Sequence, residues 1–121
     1  MPTSPEEKIV ANELEDVVQN HEAMVRLLAM ALACNQTKVF NVAFNNGASS
    51  LTRRGSSTSH HQLTHDEPRD PVLGYQPQAT KFVEDIMKQW ALLLQVFDSM
   101  PEGAGTLLDH MLIVAHSETE L

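Results

Sequence analysis

The stretch from Gln78 to Met100 reads QATKFVEDIMKQWALLLQVFDSM, and one continuous apolar stripe runs along it. The segments on either side are interpreted relative to this stretch. Apolar residues recur there every three or four positions, which is typical of a helix that buries one face. The run at 101–105 (PEGAG) ends this pattern. The sequence therefore predicts a helix over residues 78–100, with a stripe made of Phe82, Ile86, Trp90, Leu93, Leu94 and Phe97, flanked by Val83 and Met87.

Short apolar runs lie on both sides of this helix, at residues 37–44 (TKVFNVAF) and 111–116 (MLIVAH). The first is rich in β-branched and aromatic residues and is bounded by Asn and Gly turn signals. Near-continuous apolar runs suit the strands of a parallel sheet that is covered on both faces. A strand, a helix and a second strand in this order indicate a parallel pair joined by a right-handed crossover.

A further helix is predicted over residues 5–34, before the first strand. Ser4, Pro5 and Glu7 form a capping-box start, and apolar residues follow at helical spacing. Cys34 is the one cysteine of the chain, so an intrachain disulfide is excluded. Its place at the end of an apolar helical run predicts a small core residue rather than a catalytic thiol.

The order of elements predicts the fold class: helix, strand, long loop, helix, strand. We interpret residues 1–121 as a single partial α/β domain, a fragment of a three-layer parallel-sheet domain. Two parallel strands do not form a stable sheet, so both strands need more sheet beside them. The sequence therefore predicts either a chain that lacks the remainder of its domain or a homo-oligomer built from copies of itself.

The acidic charge balance limits the partners of the chain. Its 121 residues carry a formal net charge of -8. Because a phosphate backbone needs a basic face, this charge argues against non-specific binding of nucleic acid. No apolar run reaches the ~20 residues of a membrane span, and the first residues lack the pattern of a signal peptide. We therefore expect no nucleic-acid partner and no membrane span.

The long connection at 45–77 contains the candidate site. Its centre, Ser59 to Glu67, reads SHHQLTHDE and holds half of the six histidines of the chain. Parallel α/β sheets place their sites at the carboxyl ends of the strands, where this loop and residues 116–118 are expected to meet. Imidazole and carboxylate together suit Zn²⁺, Mn²⁺ or Fe²⁺. The predicted ligands of one divalent cation are His60, His61, His65, Asp66, His116 and Glu118.

The same loop has a second interpretation, as a polar surface segment whose histidines bind no metal. His61 and His65 are four residues apart and share a face only if the loop forms a helical turn. Arg53 and Arg54 either bind an anionic substrate through their guanidinium groups or remain solvated on the surface. The residues alone leave both alternatives open.

From Met24 to Leu121 the chain resembles a bacterial family known as domain of unknown function fifteen-fifty-two. The resemblance is carried by MVRLLAMALACNQTKVFNVAF, by SHHQLTHDE and by SMPEGAGTLLDHMLIVAHSE, in this order. Members are typically longer and look exported, so the resemblance implies an exported or periplasmic full-length protein. That family is distantly similar to the alkaline phosphatase and sulfatase superfamily. Where the superfamily has an Asp-His pair after the second strand, this chain reads Ala115-His116-Ser117-Glu118.

Two predictions of function from different classes follow from these patterns. The first is a metal-dependent hydrolase-like domain that acts on a phosphate or sulfate ester, with the cation polarising a phosphoryl or sulfuryl oxygen or activating a water. No nucleophile of the superfamily can be located in the chain, so its catalytic residues stay unassigned. The alternative is a non-catalytic binding or cell-envelope protein on an inherited scaffold, because fold does not imply function.

Overall fold

The computed structural model describes residues 12–46 and 48–117, and about half of these residues are helical. Two long helices and one short helix account for this, and a small hairpin follows them. The elements are α1 (Leu14–Ala33), α2 (His60–Asp66), α3 (Pro77–Asp98), β1 (Pro101–Glu102), β2 (Gly105–Thr106) and a 3₁₀ turn at Leu108–His110. The helix predicted over residues 78–100 thus forms as α3.

Helices α1 and α3 pack side by side and run in the same direction. Leu14 at the start of α1 shares a buried cluster with Phe82 near the start of α3. Val25, further along α1, shares a second cluster with Phe97 near the end of α3. Two helices that run in the same direction need a connection that returns along the pair, and residues 34–76 provide it. The predicted long loop is therefore a crossover.

Two hydrophobic clusters form the core, one at each end of the helix pair. Both clusters contain side chains of the predicted stripe of α3. Burial of this stripe holds the amphipathic helix in place. The site-end cluster, which lies beside the candidate site, consists of Leu14, Leu51, Leu63, Ala79 and Phe82. The hairpin-end cluster consists of Val25, Ala29, Leu93, Phe97 and Leu107.

Helix α1 begins where the chain before it pairs with the returning crossover. Glu13 and Thr52 form an isolated parallel bridge, and Leu14 N donates to the Thr52 carbonyl oxygen at 2.8 Å. The predicted helix start and its cap at residues 4–7 lie outside the described residues. Residues 12 and 13 are described and are not helical, so α1 covers a shorter range than the helix predicted over 5–34.

Helix α1 ends in a Schellman motif at the surface. Asn35 has φ 56°, a left-handed conformation that Asn tolerates, and its N–H donates to Leu32 O at 2.9 Å. The N–H of Gln36 donates to Ala31 O at 2.8 Å. This turn leaves Cys34 exposed, so the prediction that Cys34 is a core residue is wrong.

The glycine-containing run after α3 forms a small hairpin that Asp109 holds closed. Strands β1 and β2 are antiparallel, with Glu102 opposite Gly105. The Asp109 carboxylate accepts hydrogen bonds from Thr106 N at 2.8 Å and from Thr106 Oγ1 at 3.1 Å. These bonds bring the carboxylate against Gly105, where a Cβ would lie 2.6 Å from Asp109 Oδ2. Glycine suits position 105 because this side chain approaches so closely.

The predicted fold class, an α/β fragment of a three-layer parallel-sheet domain, is wrong. Strands β1 and β2 are the only strands among the described residues, and they are antiparallel. Residues 37–44 and 111–116 were expected to form parallel strands. All of them are described, and neither range contains a strand.

Some apolar side chains of these two segments contact helices instead of a sheet, and the others are exposed. Phe40 packs on the hairpin-end cluster, where its ring and that of Phe97 form a T-shaped pair with centroids 5.6 Å apart. Ile113 packs on the same cluster, whereas Leu112 and Val114 on either side of it are exposed. The segment alternates as a strand does, but a ladder also needs a partner strand, and none pairs with it among the described residues.

Part of the exposed side of α3 carries ion pairs. Lys81 pairs with Glu84 at 3.0 Å, and Lys88 pairs with Asp85 at 2.7 Å. Pairs three or four residues apart stabilise a helix by a few tenths of a kcal/mol each, roughly. Within the described ranges, no helix combines the length and the apolar character that a membrane crossing requires.

Candidate metal-binding site

The histidine motif SHHQLTHDE forms the short helix α2 in the crossover. Ser59 caps this helix, since its Oγ accepts a hydrogen bond from Gln62 N at 3.2 Å. On one side of α2, Leu63 is buried in the site-end cluster. A helix of seven residues is not stable on its own, so tertiary contacts hold α2 in place.

Two side chains fix the end of α2 to the start of α3. Gln76 Nε2 donates to the Glu67 carbonyl oxygen at 2.7 Å and to two further carbonyl oxygens of α2. In return, the Glu67 carboxylate accepts hydrogen bonds from Gln78 N and Ala79 N, both at 2.8 Å. The first N–H groups of a helix lack partners within the helix and lie at its positive end, which suits a carboxylate. These bonds hold α2 in one orientation on α3.

His61 and His65 lie together on the exposed side of α2. Their ring centroids are 4.7 Å apart, with an angle of 79° between the ring planes. Both residues are exposed, and the Thr64 hydroxyl between them is turned to the His61 carbonyl oxygen at 2.7 Å. Two nitrogens bound to one tetrahedral zinc are about 3.3 Å apart, because each Zn–N bond is about 2.0–2.1 Å. Imidazoles at this ring separation can reach that spacing by rotation of their side chains.

His60, the third histidine of the motif, faces the core. Its ring stacks on Phe82 with centroids 4.8 Å apart and planes at 13°. Its Nδ1 is buried and has no hydrogen-bond partner among the described residues. Burial lowers the pKa of His60, and the neighbouring His61 lowers it further. These contacts make His60 a neutral packing residue rather than a third member of the exposed pair.

Arg53 and Arg54, the predicted substrate-binding residues, are both engaged by carboxylates. Arg53 Nη2 lies 2.8 Å from Asp85 Oδ2, and its guanidinium carbon lies 4.6 Å from the centroid of the Phe82 ring. Arg54 pairs with two carboxylates around the start of α1, at 3.0 and 2.8 Å. These ion pairs fasten the crossover to α1 and α3. The contacts therefore favour a structural role for both arginines.

The other predicted ligands do not complete a site with the His61–His65 pair. Asp66 is exposed at the end of α2, and His116 is exposed in the segment after the hairpin. Glu118 lies outside the described residues. Across residues 12–46 and 48–117, no group of three or more His, Cys, Asp or Glu side chains is placed to hold a metal ion. The sheet edge at which the predicted ligands were expected to meet does not form.

Sequence reasoning assigned no role to Glu67, Gln76 or Asp85, although these residues position the site. Burial raises the pKa of the Asp85 carboxyl, but hydrogen bonds from Lys88 and Arg53 outweigh burial and hold the pKa at about 2. One signal was present, since Glu67 and Gln76 each precede a proline, and such residues often mark the boundary of a helix. Their partners lie in the other helix, so only the packing of α2 on α3 identifies them.

No protein-family model, curated protein or solved structure matches the chain. The resemblance to domain of unknown function fifteen-fifty-two therefore stays a prediction, as does the distant similarity to the alkaline phosphatase and sulfatase superfamily. Among the described residues, the features that bear most on function are α2 and the two histidines that it exposes.

Proposed function

We propose that the chain is a non-catalytic binding protein that takes up a divalent cation, zinc in the first instance, through His61 and His65. The observation that carries this proposal is the pairing of two exposed imidazoles one helical turn apart, with ring centroids at 4.7 Å. Neutral imidazole is a common ligand of zinc and of other divalent transition metals. The pair supplies two coordination positions.

The helix that carries the pair is held in place by contacts that involve no metal. Leu63 is buried beneath it, and Glu67 and Gln76 fasten its end to α3. Ligands that are already positioned lose less conformational entropy when they bind. The anchoring of α2 thus supports a site that needs side-chain rotation but no refolding of the backbone.

The surroundings of the pair favour a cation. Asp66 follows His65 directly, and His65 lies in the last turn of α2, where the helix dipole is negative. The chain as a whole carries a formal net charge of -8. A negative field raises the local concentration of cations and the rate at which they arrive.

Ester hydrolysis, the other function that the sequence predicts, needs more than this pair. A catalytic zinc uses three protein ligands and keeps a fourth position for water or substrate. His60 packs on Phe82, and both Arg53 and Arg54 are paired with carboxylates. The contacts support cation binding better than hydrolysis, and action on a phosphate or sulfate ester stays a prediction.

Calorimetric titration of the purified chain with zinc tests the proposal. Loss of an outer-shell partner already costs a metal site about 10- to 100-fold in affinity, so we expect at least that loss from His61→Ala and from His65→Ala. His110→Ala is the matched control, because it also removes an exposed imidazole, one that pairs with Glu102 in the hairpin. Zinc affinity that neither α2 substitution changes would contradict the proposal.

His116→Ala separates the two functions. We expect this variant to bind zinc as the unchanged chain does. If it instead loses zinc together with His61→Ala and His65→Ala, a three-ligand centre of the hydrolytic kind is favoured. Circular dichroism serves as the check on folding, since alanine is a good helix former and the α2 variants should keep their helical signal.

A further inference from the structure

Among the described residues of one chain, the proposed zinc site is half complete, and the inference that follows rests on the proposed function. Zinc in closed sites takes four ligands in a tetrahedral arrangement, whereas α2 offers two. No third His, Cys, Asp or Glu side chain joins the pair in the part of the chain that the structure describes. Within the described ranges, the remaining positions are left to water or to another molecule.

A second copy of the same chain offers the missing ligands. Two identical surfaces related by a twofold axis meet residue for residue, so each copy would contribute its own His61 and His65. The pair lies on the exposed side of α2, while Leu63 on the other side is buried. The imidazoles are therefore open to a second α2 that approaches through solvent.

The charge of the chain makes such a contact depend on the metal. Each copy carries a formal net charge of -8, and Asp66, which follows His65 in the sequence, is exposed. Two such surfaces repel each other, because like charges across an interface cost free energy. A divalent cation between them offsets this repulsion and adds four ligand bonds.

We propose that one zinc ion joins two copies of this chain, with His61 and His65 of each copy as its four ligands. All four bind as neutral imidazoles, and the step involves no transfer of electrons or groups. The dimer contains one metal ion for two chains. It needs no large apolar interface, because the ligand bonds themselves connect the copies.

Sedimentation velocity of the full chain at increasing zinc concentration tests the bridge. The mass should double from 13.4 kDa as zinc reaches one ion for two chains, and a chelator should restore the monomer. A large excess of zinc should divide the dimer again, because each chain then binds an ion of its own. His61→Ala and His65→Ala should remain monomeric, whereas His110→Ala should dimerise as the unchanged chain does.

Substitution of cobalt for zinc provides a second readout that does not depend on mass. A tetrahedral Co²⁺ centre absorbs strongly in the visible range, whereas an octahedral centre completed by water absorbs weakly. We expect strong absorption that increases in step with the dimer fraction. Weak absorption from cobalt bound to a dimer would overturn the four-histidine site.

The possible outcomes separate this inference from the proposed function. Binding of one zinc per chain at an unchanged monomer mass overturns the bridge but leaves the metal site in place. A chain that binds no zinc overturns both. A dimer that forms without zinc, or that persists in both α2 variants, overturns the bridge, because the copies then meet through another surface.

Discussion

At the two ends of the α1–α3 pair, the buried phenylalanine of α3 packs against different kinds of side chain. At the hairpin end, Phe97 is 0% exposed and forms a T-shaped pair with Phe40, so the aromatic contact is apolar. At the site end, Phe82 is 2% exposed, but its ring contacts the imidazole of His60 and the guanidinium of Arg53. Equal burial of two phenylalanines on one helix thus goes with different neighbours.

The two ends therefore depend on different interactions for their stability. Apolar packing around Phe97 depends on volume and area and hardly on proton concentration. The site end adds titratable groups, because Arg53 on Phe82 is held by Asp85, and His60 is partly buried. We therefore expect the site end to respond to pH in the histidine range. In that range the hairpin end should respond mainly to changes of volume, because hydrogen bonds from Thr106 lower the pKa of Asp109 and keep its carboxylate ionised.

Phe97→Ala should have the largest effect. Removal of a buried phenylalanine side chain costs about 3–5 kcal/mol of the free energy of unfolding, because the cavity refills only in part. Urea unfolding at about pH 5.5 and about pH 7.5, on either side of the ordinary histidine pKa, should show the same loss at both. If Phe97→Ala does not fold, Phe97→Leu gives a smaller loss on the same scale. A loss of stability that depends strongly on pH would contradict the expectation that the hairpin end responds mainly to changes of volume.

Asp85→Asn should have the intermediate effect, and it should depend on pH. The pKa of Asp85 is about 2 in the folded chain, below its ordinary value of 3.8. Its contribution to stability is therefore complete above pH 3.8 and is lost as the pH falls toward 2. The partial exposure of its partners limits the loss at neutral pH to roughly 1–2 kcal/mol. Urea unfolding at neutral pH and near pH 2 measures both.

Glu84→Gln is the control for that substitution. Glu84 lies next to Asp85 on α3 and pairs with Lys81, but its side chain is 56% exposed. An exposed pair contributes about 0–1 kcal/mol, so Glu84→Gln should change stability less than Asp85→Asn does. Equal losses from the two variants would show that the contact between Asp85 and Arg53 adds nothing beyond ordinary surface charge.

His60→Phe should have the smallest effect at neutral pH and the most specific one in acid. Burial lowers the pKa of His60 from 6.5, so the neutral ring stabilises the fold above pH 6.5, and this contribution is lost as the pH falls below it. Phenylalanine keeps the ring contact with Phe82 and removes an unpartnered buried nitrogen, so we expect a change within about 1 kcal/mol near pH 7.5. Urea unfolding near pH 5.5 should then show a smaller acid loss than the unchanged chain.

His21 is a second source of acid sensitivity. Burial lowers its pKa too, against the opposing hydrogen bond to the Gln89 carbonyl oxygen. His60→Phe should therefore reduce the loss of stability below pH 6.5 but not remove it. An acid loss that stays unchanged in His60→Phe would show that His60 does not titrate with folding.

The helical part of the fold could be predicted because its signal is local. The spacing of apolar residues along 78–100 already indicates a buried face, and this face is the one that packs in the structure. The prediction failed at 37–44 and 111–116, where composition was equally apolar. Extended backbone becomes a strand only when another strand pairs with it, and no local pattern contains that partner.

The candidate site was predictable only as a set of residue types. The spacing of His61 and His65 lets the two side chains share a face only if the loop forms a helical turn, and α2 forms that turn. Neighbouring residues on a helix point in different directions, so His60 and His61 cannot both face solvent on the same side. Once the segment is helical, Leu63, three residues after His60, puts His60 on the buried side, but the formation of this short helix depends on its packing on α3, which the sequence around SHHQLTHDE does not contain.

The sequence by itself determined the two long amphipathic helices, the single cysteine, the acidic charge and the spacing of two histidines. The tertiary structure alone decided that α1 and α3 run in parallel, that 37–44 and 111–116 pack on helices, and that Glu67 and Gln76 anchor α2. The physical reason is the range of the interactions. Helical periodicity and charge belong to neighbouring residues, whereas strand pairing and the orientation of a seven-residue helix depend on partners far away in the chain.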